Sequence, residues 1–228
     1  MSGSTTQKLM IPFIGDPLTQ VQMAIGSFVR EKGAVAAIEK INWIEYPYKP
    51  SVRFFAGYSN QHLWLHYEIE HDFYRVKAME DQEAVWEDSC VEFFFSGVEL
   101  RQSGNREVTD IIYRNFEFNA LGICLSAVGT KNDRAFLSVE ELKGILRFPG
   151  LSEQNQPSEG ILFNWELTVA IPLNLLNLKP GSSFKANLYK CGDLTRQPHF
   201  LSWNMIESES PDFHLPQYFG EMELVIDI

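Results

Sequence analysis

Two tryptophans stand where they could contact a ligand. Trp86 leads into the acidic Glu87-Asp88 pair, and Trp203 lies between a turn-rich loop and the polar segment 207–210. An indole offers a flat apolar face, and neighbouring carboxylates and amides offer planar hydrogen-bond partners. A sugar ring needs both, because its C–H face is apolar and its hydroxyl groups are polar. The two indoles therefore indicate a saccharide-binding surface.

Glu92 is the carboxylate that fits beneath such a surface. If residues 89–95 form a strand, Glu92 shares one face with Cys90 and Phe94. A carboxylate among apolar neighbours is costly unless a hydrogen-bond donor or a ligand hydroxyl pairs with it. Trp86 has the same parity, but six residues of strand span roughly 20 Å. The chain between Trp86 and Glu92 must therefore bend back if both are to contact one sugar.

The remaining tryptophans indicate packing. Trp64 and Trp165 lie inside segments that alternate apolar and polar residues, so we expect them in the core. Trp43 precedes the rigid segment 46–50, which contains two prolines, and we expect it to cover one end of a sheet.

The elements that must position these residues are mostly strands. Alternating or aromatic-rich segments predict strands, and turn-rich spacers separate them at 101–107, 150–160 and 192–199. The predicted strands are 63–69, 90–95, 111–118, 165–171, 184–189 and 222–226. Short strands without an alternating helix indicate an all-β fold, an antiparallel β-sandwich of immunoglobulin-like type.

One helix is predicted near the N-terminus. Apolar residues recur at spacings of three and four after Asp16, which is suited to cap the helix, and Gly33 is suited to end it. Pro17 fits the first helical position. The apolar positions are Leu18, Val21, Ile25, Phe28 and Val29. We expect residues 1–8 to be a frayed tail and residues 9–228 to form a single domain.

Charge and length exclude several classes of protein. The chain has 228 residues with 19 Lys and Arg against 30 Asp and Glu, a net charge of −11. It has no basic field to neutralise phosphates, so nucleic acids and anionic membranes are not expected partners. No segment approaches the roughly 20 apolar residues of a membrane span. The first residues lack a secretory signal, so we expect a cytoplasmic protein unless an export signal was trimmed.

The spacing of the cysteines predicts neither a disulfide framework nor a structural metal site. Cys90, Cys124 and Cys191 lie far apart and form no C-x-x-C pair, which is poor material for disulfides or a structural zinc site. We expect three small buried side chains, and no metal ligands can be assigned.

Four segments in order carry a family resemblance. W-E-D-S-C-V-E-F-F (86–94) resembles the D-S-V-E strand of family 9 carbohydrate-binding modules, and Y-R-N-F-E-F-N (113–119) resembles the strand that follows it. Segments 171–190 and 202–220 are similar to the family patterns I-P…G…N-x-Y-R and S-W…F-H-x-P…F-G. The agreement runs from about residue 43 to residue 225.

This resemblance implies a DOMON-type β-sandwich that binds carbohydrate without catalysis, in the service of polysaccharide catabolism. Carried onto this chain, Trp86 and Trp203 would clamp a terminal sugar and Glu92 would bind its hydroxyl groups. Arg114 and Asn119 would add polar contacts. No cofactor is implied, although family members often bind calcium, for which no loop can be assigned here.

The chain departs from the family pattern at two positions. Cys90 adds one residue to the D-S-V-E order, and Lys190 stands where the pattern has arginine.

Other functions remain open at this stage. Paired carboxylates among Glu83, Glu87, Asp88, Glu92 and Glu117 could serve a glycoside hydrolase. A haem or redox domain could use the histidines, which are His62, His66, His71, His199 and His214. A domain whose site has decayed would be an interaction scaffold. The identity of the sugar and the oligomeric state are left open.

Overall fold

The computed structural model describes residues 6–20, 24–97 and 111–226. Strands dominate it: β1 (Lys8–Ile11), β2 (Ala34–Ala37), β3 (Lys40–Ile41), β4 (Ser51–Tyr58), β5 (His62–Phe73), β6 (Cys90–Ser96), β7 (Tyr113–Asn119), β8 (Cys124–Gly129), β9 (Arg134–Phe136), β10 (Leu146–Pro149), β11 (Leu162–Pro172), β12 (Ser183–Cys191), β13 (Phe200–Ser202) and β14 (Gly220–Leu224). The helices are short: α1 (Ile25–Lys32), α2 (Val139–Gly144) and α3 (Leu173–Leu176).

Two sheets face each other. The nine-stranded sheet has the order β1-β14-β12-β6-β7-β8-β9, with β13 and β3 attached beside β12. The five-stranded sheet has the order β10-β11-β5-β4-β2. The pairings within both sheets are antiparallel, except that β1 lies parallel to β14. The prediction of an antiparallel β-sandwich is confirmed.

The main core lies between the sheets. Phe54 and Leu65 of the five-stranded sheet pack in the same cluster as Val91, Phe93 and Phe116 of the nine-stranded sheet. The alternation predicted for β6 is therefore correct, since the odd residues face this core. Burial of many such side chains, about 1.5–3 kcal/mol each, drives the two sheets together.

Each sheet is also covered on its outer face. Helix α1 packs Phe28 and Val29 against Trp64 of the five-stranded sheet. On the outer face of the nine-stranded sheet, Phe94 and Tyr189 pack in an aromatic cluster with segments that follow β13. Because both faces of β6 are covered, every residue of that strand is buried.

The N-terminal helix is shorter than predicted. Asp16 caps only a single 3-10 turn, Pro17–Thr19, after which Gln20 has an extended backbone. The helix begins at Ile25 and ends before Gly33, as expected for its C-terminal end. A prediction from apolar spacing joined two separate turns into one helix, and Val21 lies outside the described residues.

The six predicted strands are present, and ordered structure begins nearer the N-terminus than predicted. Gln7 and Lys8, expected in the frayed tail, form hydrogen bonds or strand pairs with residues 204 and 221, whereas residues 1–5 lie outside the described ranges. The predicted spacer 101–107 lies outside them as well. Among the described residues, none of the helices has the length and apolarity to cross a bilayer.

Candidate functional site

A cavity of about 540 Å³ opens on the outer face of the nine-stranded sheet. We call its four buried polar residues the cavity floor: Glu92, Asn115, Glu117 and Cys191. We call five of its more exposed residues the cavity rim: Trp86, Lys131, Arg134, Phe136 and Asp193. The floor comes from β6, β7 and β12, and the rim comes from β9 and the loops between strands.

The pleat of adjacent strands assembles the cavity floor. Asn115 and Glu117 are two residues apart on β7 and therefore share a face. Glu117 is the register partner of Glu92 on β6. Side chains directly opposite one another in a sheet lie roughly 5 Å apart at Cβ, so the two carboxyl groups are neighbours.

Both carboxyl groups have perturbed acidity. Burial, followed by the repulsion from Glu117, raises the pKa of Glu92 well above its ordinary value. Burial raises the pKa of Glu117 to about 7, while the amide of Asn115 opposes this change. Near neutral pH Glu117 is therefore partly protonated, and a protonated carboxyl group both donates and accepts hydrogen bonds.

Two oxygens of the cavity floor lack a partner. Asn115 Nδ2 donates to Glu117 Oε1 at 3.0 Å, but Asn115 Oδ1 and Glu117 Oε2 are buried without any hydrogen bond in the structure. An unsatisfied buried polar atom costs about 1–3 kcal/mol. These atoms are suited to receive the hydroxyl groups of a ligand.

Trp86 lies on a bend above this floor. The 3-10 turn Val85–Glu87 bends the chain before β6, and Trp86 and Glu92 line the same cavity. The backbone amides of Asp193 and Leu194 donate to the carbonyls of Trp86 and Glu87, which fixes the turn. The Trp86 side chain is 39% exposed. The bend that the sequence required is therefore present.

Charged groups and a neutral histidine complete the cavity wall. Arg134 Nη1 donates to His214 Nδ1 at 2.7 Å, and the Tyr113 hydroxyl lies 2.8 Å from the same nitrogen. Burial, with the charge of Arg134, lowers the pKa of His214 to about 4. The ring is therefore neutral at physiological pH. Burial, followed by repulsion from Glu87, raises the pKa of Asp193 to about 6.

Trp203 does not lie in the cavity, and the predicted clamp of two indoles is wrong. Its side chain is 3% exposed and belongs to the main core, where it packs edge-on against Phe54. It follows β13 with the parity of Leu201, which also faces this core. A Cβ on Gly220 would lie 2.6 Å from the indole, so glycine is needed beside it.

Asn119 has a structural position. Its amide nitrogen donates to Ala78 O and Asp88 Oδ2, and its Oδ1 accepts from the backbone of Leu121 and Ile123. These bonds hold the β7–β8 turn against the segment before β6. The side chain is fully occupied and lies outside the cavity lining.

Arg114 also lies outside the cavity lining. Arg114 has the opposite parity to Asn115 and Glu117 on β7, so its side chain lies on the other face of the sheet. Burial lowers its pKa. Of the five predicted site residues, the structure therefore brings together Trp86 and Glu92.

Several lining residues are not among the five predicted saccharide contacts, although Glu117 is a predicted candidate for a hydrolase carboxylate. Asn115 and Glu117 could have been assigned to the saccharide site, because they share the parity of one predicted strand next to that of Glu92. Phe136, an exposed aromatic residue, and Arg134 lie on the three-residue strand β9, which has no sequence pattern of its own.

The described residues contain one group of three potential metal ligands: Cys90, Glu92 and Cys191. Calcium binds oxygen atoms, so this set with two thiols does not fit it. The histidines do not form a group of this kind in the described part of the chain. His66 contacts Thr168, and His199 contacts Lys190.

A family model described as carbohydrate-binding family 9 matches residues 24–224. The chain belongs to carbohydrate-binding family 9. This assignment confirms the resemblance seen in the sequence and the expectation of a carbohydrate-binding module. A comparison with curated proteins gives no match.

Solved structures agree with the family 9 fold. A Bacteroides uniformis structure, described as a "putative carbohydrate-binding protein", is 33% identical, with a TM-score of 0.81 over 96% of this chain and 99% of that chain. A family 9 module of Caldicellulosiruptor kristjanssonii in complex with glucose is 11% identical, with a TM-score of 0.57 over 95% of each chain. Its complex with cellotriose has 11% identity and a TM-score of 0.58, over 96% of this chain and 94% of that chain. The latter two likenesses concern the fold alone.

Proposed function

We propose that the cavity binds the terminal unit of a saccharide and does not cleave it. The observation that carries this proposal is the pair of unpartnered buried oxygens, Asn115 Oδ1 and Glu117 Oε2, in a cavity that Trp86 also lines. Membership of a carbohydrate-binding family supports the same ligand class. Binding of this kind would serve polysaccharide catabolism.

Trp86 supplies the apolar contact. Its ring is partly exposed and held by a turn that is hydrogen-bonded to the segment after β12. The C–H face of a sugar would stack on this ring, and Phe136 offers a second exposed aromatic surface in the same cavity lining. A rigid ring loses little entropy on binding, which favours affinity.

The cavity floor supplies the polar contacts. Asn115 Oδ1 would accept a hydrogen bond from one hydroxyl group, and Glu117 would accept from or donate to another according to its protonation. Glu92 lies across the strand from Glu117 and faces the same cavity. The volume of about 540 Å³ falls in the range of small-molecule sites.

Isothermal titration with glucose and cellotriose tests the proposal. These two probes are the ligands bound by the neighbouring family 9 structures. We expect saturable binding of at least one, and Trp86→Ala should weaken it by about 1–3 kcal/mol because the stacking surface is lost.

Phe13→Ala is the matched control, since Phe13 is 37% exposed and lies outside the cavity. Its affinity should equal that of the unaltered chain. A Trp86→Ala chain that folds and binds with full affinity would contradict the proposal.

Absence of cleavage has a separate test. The unaltered chain, incubated with cellotriose, should release no reducing sugar. Release that disappears in Glu92→Gln would instead indicate a glycoside hydrolase, because hydrolysis needs two carboxyl groups and Glu92 would be one of them.

A further inference from the structure

Two cysteines that are distant in sequence meet beneath the cavity. Cys90 begins β6, Cys191 ends β12, and the two are register partners across the strands. Glu92 follows on the same face of β6. One ligating atom from each of these three residues lies within 4.8 Å of the others. The sequence, which separates the cysteines widely, gave no sign of this group.

The three side chains already interact. The thiol of Cys191 donates to Glu92 Oε1 at 3.0 Å, and it lies 3.6 Å from the carbonyl of Trp86. All three residues are at most 2% exposed. Glu92 and Cys191 line the cavity, whereas Cys90 lies behind them and takes no part in the proposed saccharide contact.

We propose that Cys90 Sγ, Cys191 Sγ and the Glu92 carboxylate bind one zinc-type divalent cation. Zinc binds sulfur at roughly 2.3 Å and carboxylate oxygen at about 2.1 Å, so its tetrahedral ligands stand roughly 3.5 Å apart. The three atoms lie within 4.8 Å of one another, at most about 1.3 Å beyond that spacing, a difference that side-chain rotation can supply.

The donor set determines which cation fits. Thiolates select soft or borderline metals such as zinc, cobalt and cadmium, whereas calcium and magnesium require oxygen ligands. On binding, each thiol, and the Glu92 carboxyl group where it is protonated, gives up its proton to solvent, and the cation takes an electron pair from each thiolate and from the carboxylate. No oxidant or reductant is needed.

The fourth position of the site faces the cavity. Structural zinc sites have four protein ligands, whereas a site with three protein ligands leaves one position open to water or another small ligand. Water or a hydroxyl group would complete the tetrahedron from the side lined by Glu92 and Cys191. The site shares Glu92 with the proposed saccharide contact, but it does not depend on saccharide binding.

Cobalt titration of the full chain tests this inference. The protein is kept reduced with a phosphine, and cobalt is followed by its thiolate charge-transfer absorption. We expect one equivalent to bind and zinc to displace it. Cys90→Ala and Cys191→Ala should abolish the band, and Glu92→Gln should weaken zinc binding by roughly tenfold or more.

Cys124→Ala is the matched control. Cys124 is equally buried, but it packs in the main core and lies outside the three-residue group. Its cobalt band should be unchanged. No band in the reduced unaltered chain, or a band that survives in Cys90→Ala, would overturn the inference.

Two further outcomes are informative. If the alanine variants fail to fold, the melting temperature of the unaltered chain is measured with zinc, and it must rise for the inference to stand. A chain that binds no metal when reduced but forms a Cys90–Cys191 disulfide in air would overturn it. Saccharide titrations in a metal chelator keep the failure of this site distinct from failure of the proposed function.

Discussion

Glu117 couples the cavity to pH. Its carboxyl group is buried on β7 of the nine-stranded sheet, and burial raises its pKa from 4.5 to about 7. The folded chain therefore holds this proton more tightly than the unfolded chain does. Protonation stabilises the fold fully below pH 4.5, and this stabilisation is lost as the pH rises through about 7.

This loss of stability with rising pH gives a prediction for Glu117→Gln, because the glutamine side chain cannot ionise. Relative to this variant, the unaltered chain should lose up to about 3 kcal/mol of unfolding free energy between pH 4.5 and pH 8. Urea denaturation at several pH values measures the difference. Parallel profiles for the two chains would show that the group is not perturbed in the folded state.

Glu92 and Glu117 form an arrangement that costs stability, and a binding site gives a reason for it. Two neighbouring buried carboxyl groups lower stability once both ionise, and apolar residues would pack there at less cost. Their presence in a lined cavity, with one oxygen unpartnered, is consistent with a polar ligand that makes up the missing hydrogen bond.

At the scale of elements, one buried ion pair connects the two sheets. Lys190 on β12 lies 3.1 Å from Asp72 on β5 and 2.9 Å from His199 Nε2, and it donates to the carbonyl of Cys191. Asp72 also accepts from the indole of Trp165 on β11. Lys190 occupies the position where the family pattern has arginine, and the structure gives it a full set of partners.

We expect Lys190→Met to lower the unfolding free energy by about 3–5 kcal/mol, because Asp72 would be left buried without its cation. The double variant with Asp72→Asn should lose less unfolding free energy than the sum of the losses in the two single variants. Chemical denaturation measures the unfolding free energy of all three variants.

Lys185→Met on the same strand is the control, since its partner Glu221 is exposed. Its cost should be about 1 kcal/mol or less. Equal losses for the two lysine variants would contradict the importance given to the inter-sheet pair.

Strands that alternate or are rich in aromatic residues could be predicted, and those without such a pattern could not. Strand β4 is buried on nearly all of its length, so its sequence does not alternate. Strands β3, β9 and β13 have two or three residues, too few for any period. The predicted helix is too long at its N-terminal end, because apolar spacing cannot reveal a residue with a β-type backbone such as Gln20.

The candidate site was predictable where local geometry sufficed. The parity of the predicted strand and the bend before it are enough to relate Trp86 to Glu92 from the sequence. Whether Trp203 faces the core or the solvent depends on the parity of β13, which the sequence does not reveal. The polar residues near Trp203 in sequence are compatible with both orientations. The meeting of Cys90 and Cys191 depends on the pairing of β6 with β12, a long-range choice that no local pattern determines.

At the scale of the molecule, the N-terminal segment joins both sheets. Strand β1 pairs with β14, and the chain then crosses to β4, where Tyr58 N donates to Pro12 O and Ile14 N donates to Tyr58 O. Leu9, Ile11 and Ile14 are buried. This segment precedes residue 24, where the family match begins.

A chain that begins at Ala24 should therefore be much less stable than one that begins at Thr6. Loss of three buried apolar side chains removes at least about 4 kcal/mol, and the exposed edge of β14 favours association. Urea denaturation and size-exclusion chromatography measure the two effects. Equal stability and monodispersity of both chains would show that the segment is dispensable.

The distribution of indoles gives the molecule a built-in optical reporter. Trp43, Trp64, Trp165 and Trp203 are at most 5% exposed, and Trp86 is 39% exposed. A water-soluble quencher such as acrylamide therefore reaches one emitter far better than the other four. The quenchable fraction of the fluorescence comes from the mouth of the cavity, and any occupant that covers Trp86 shields that fraction without a label.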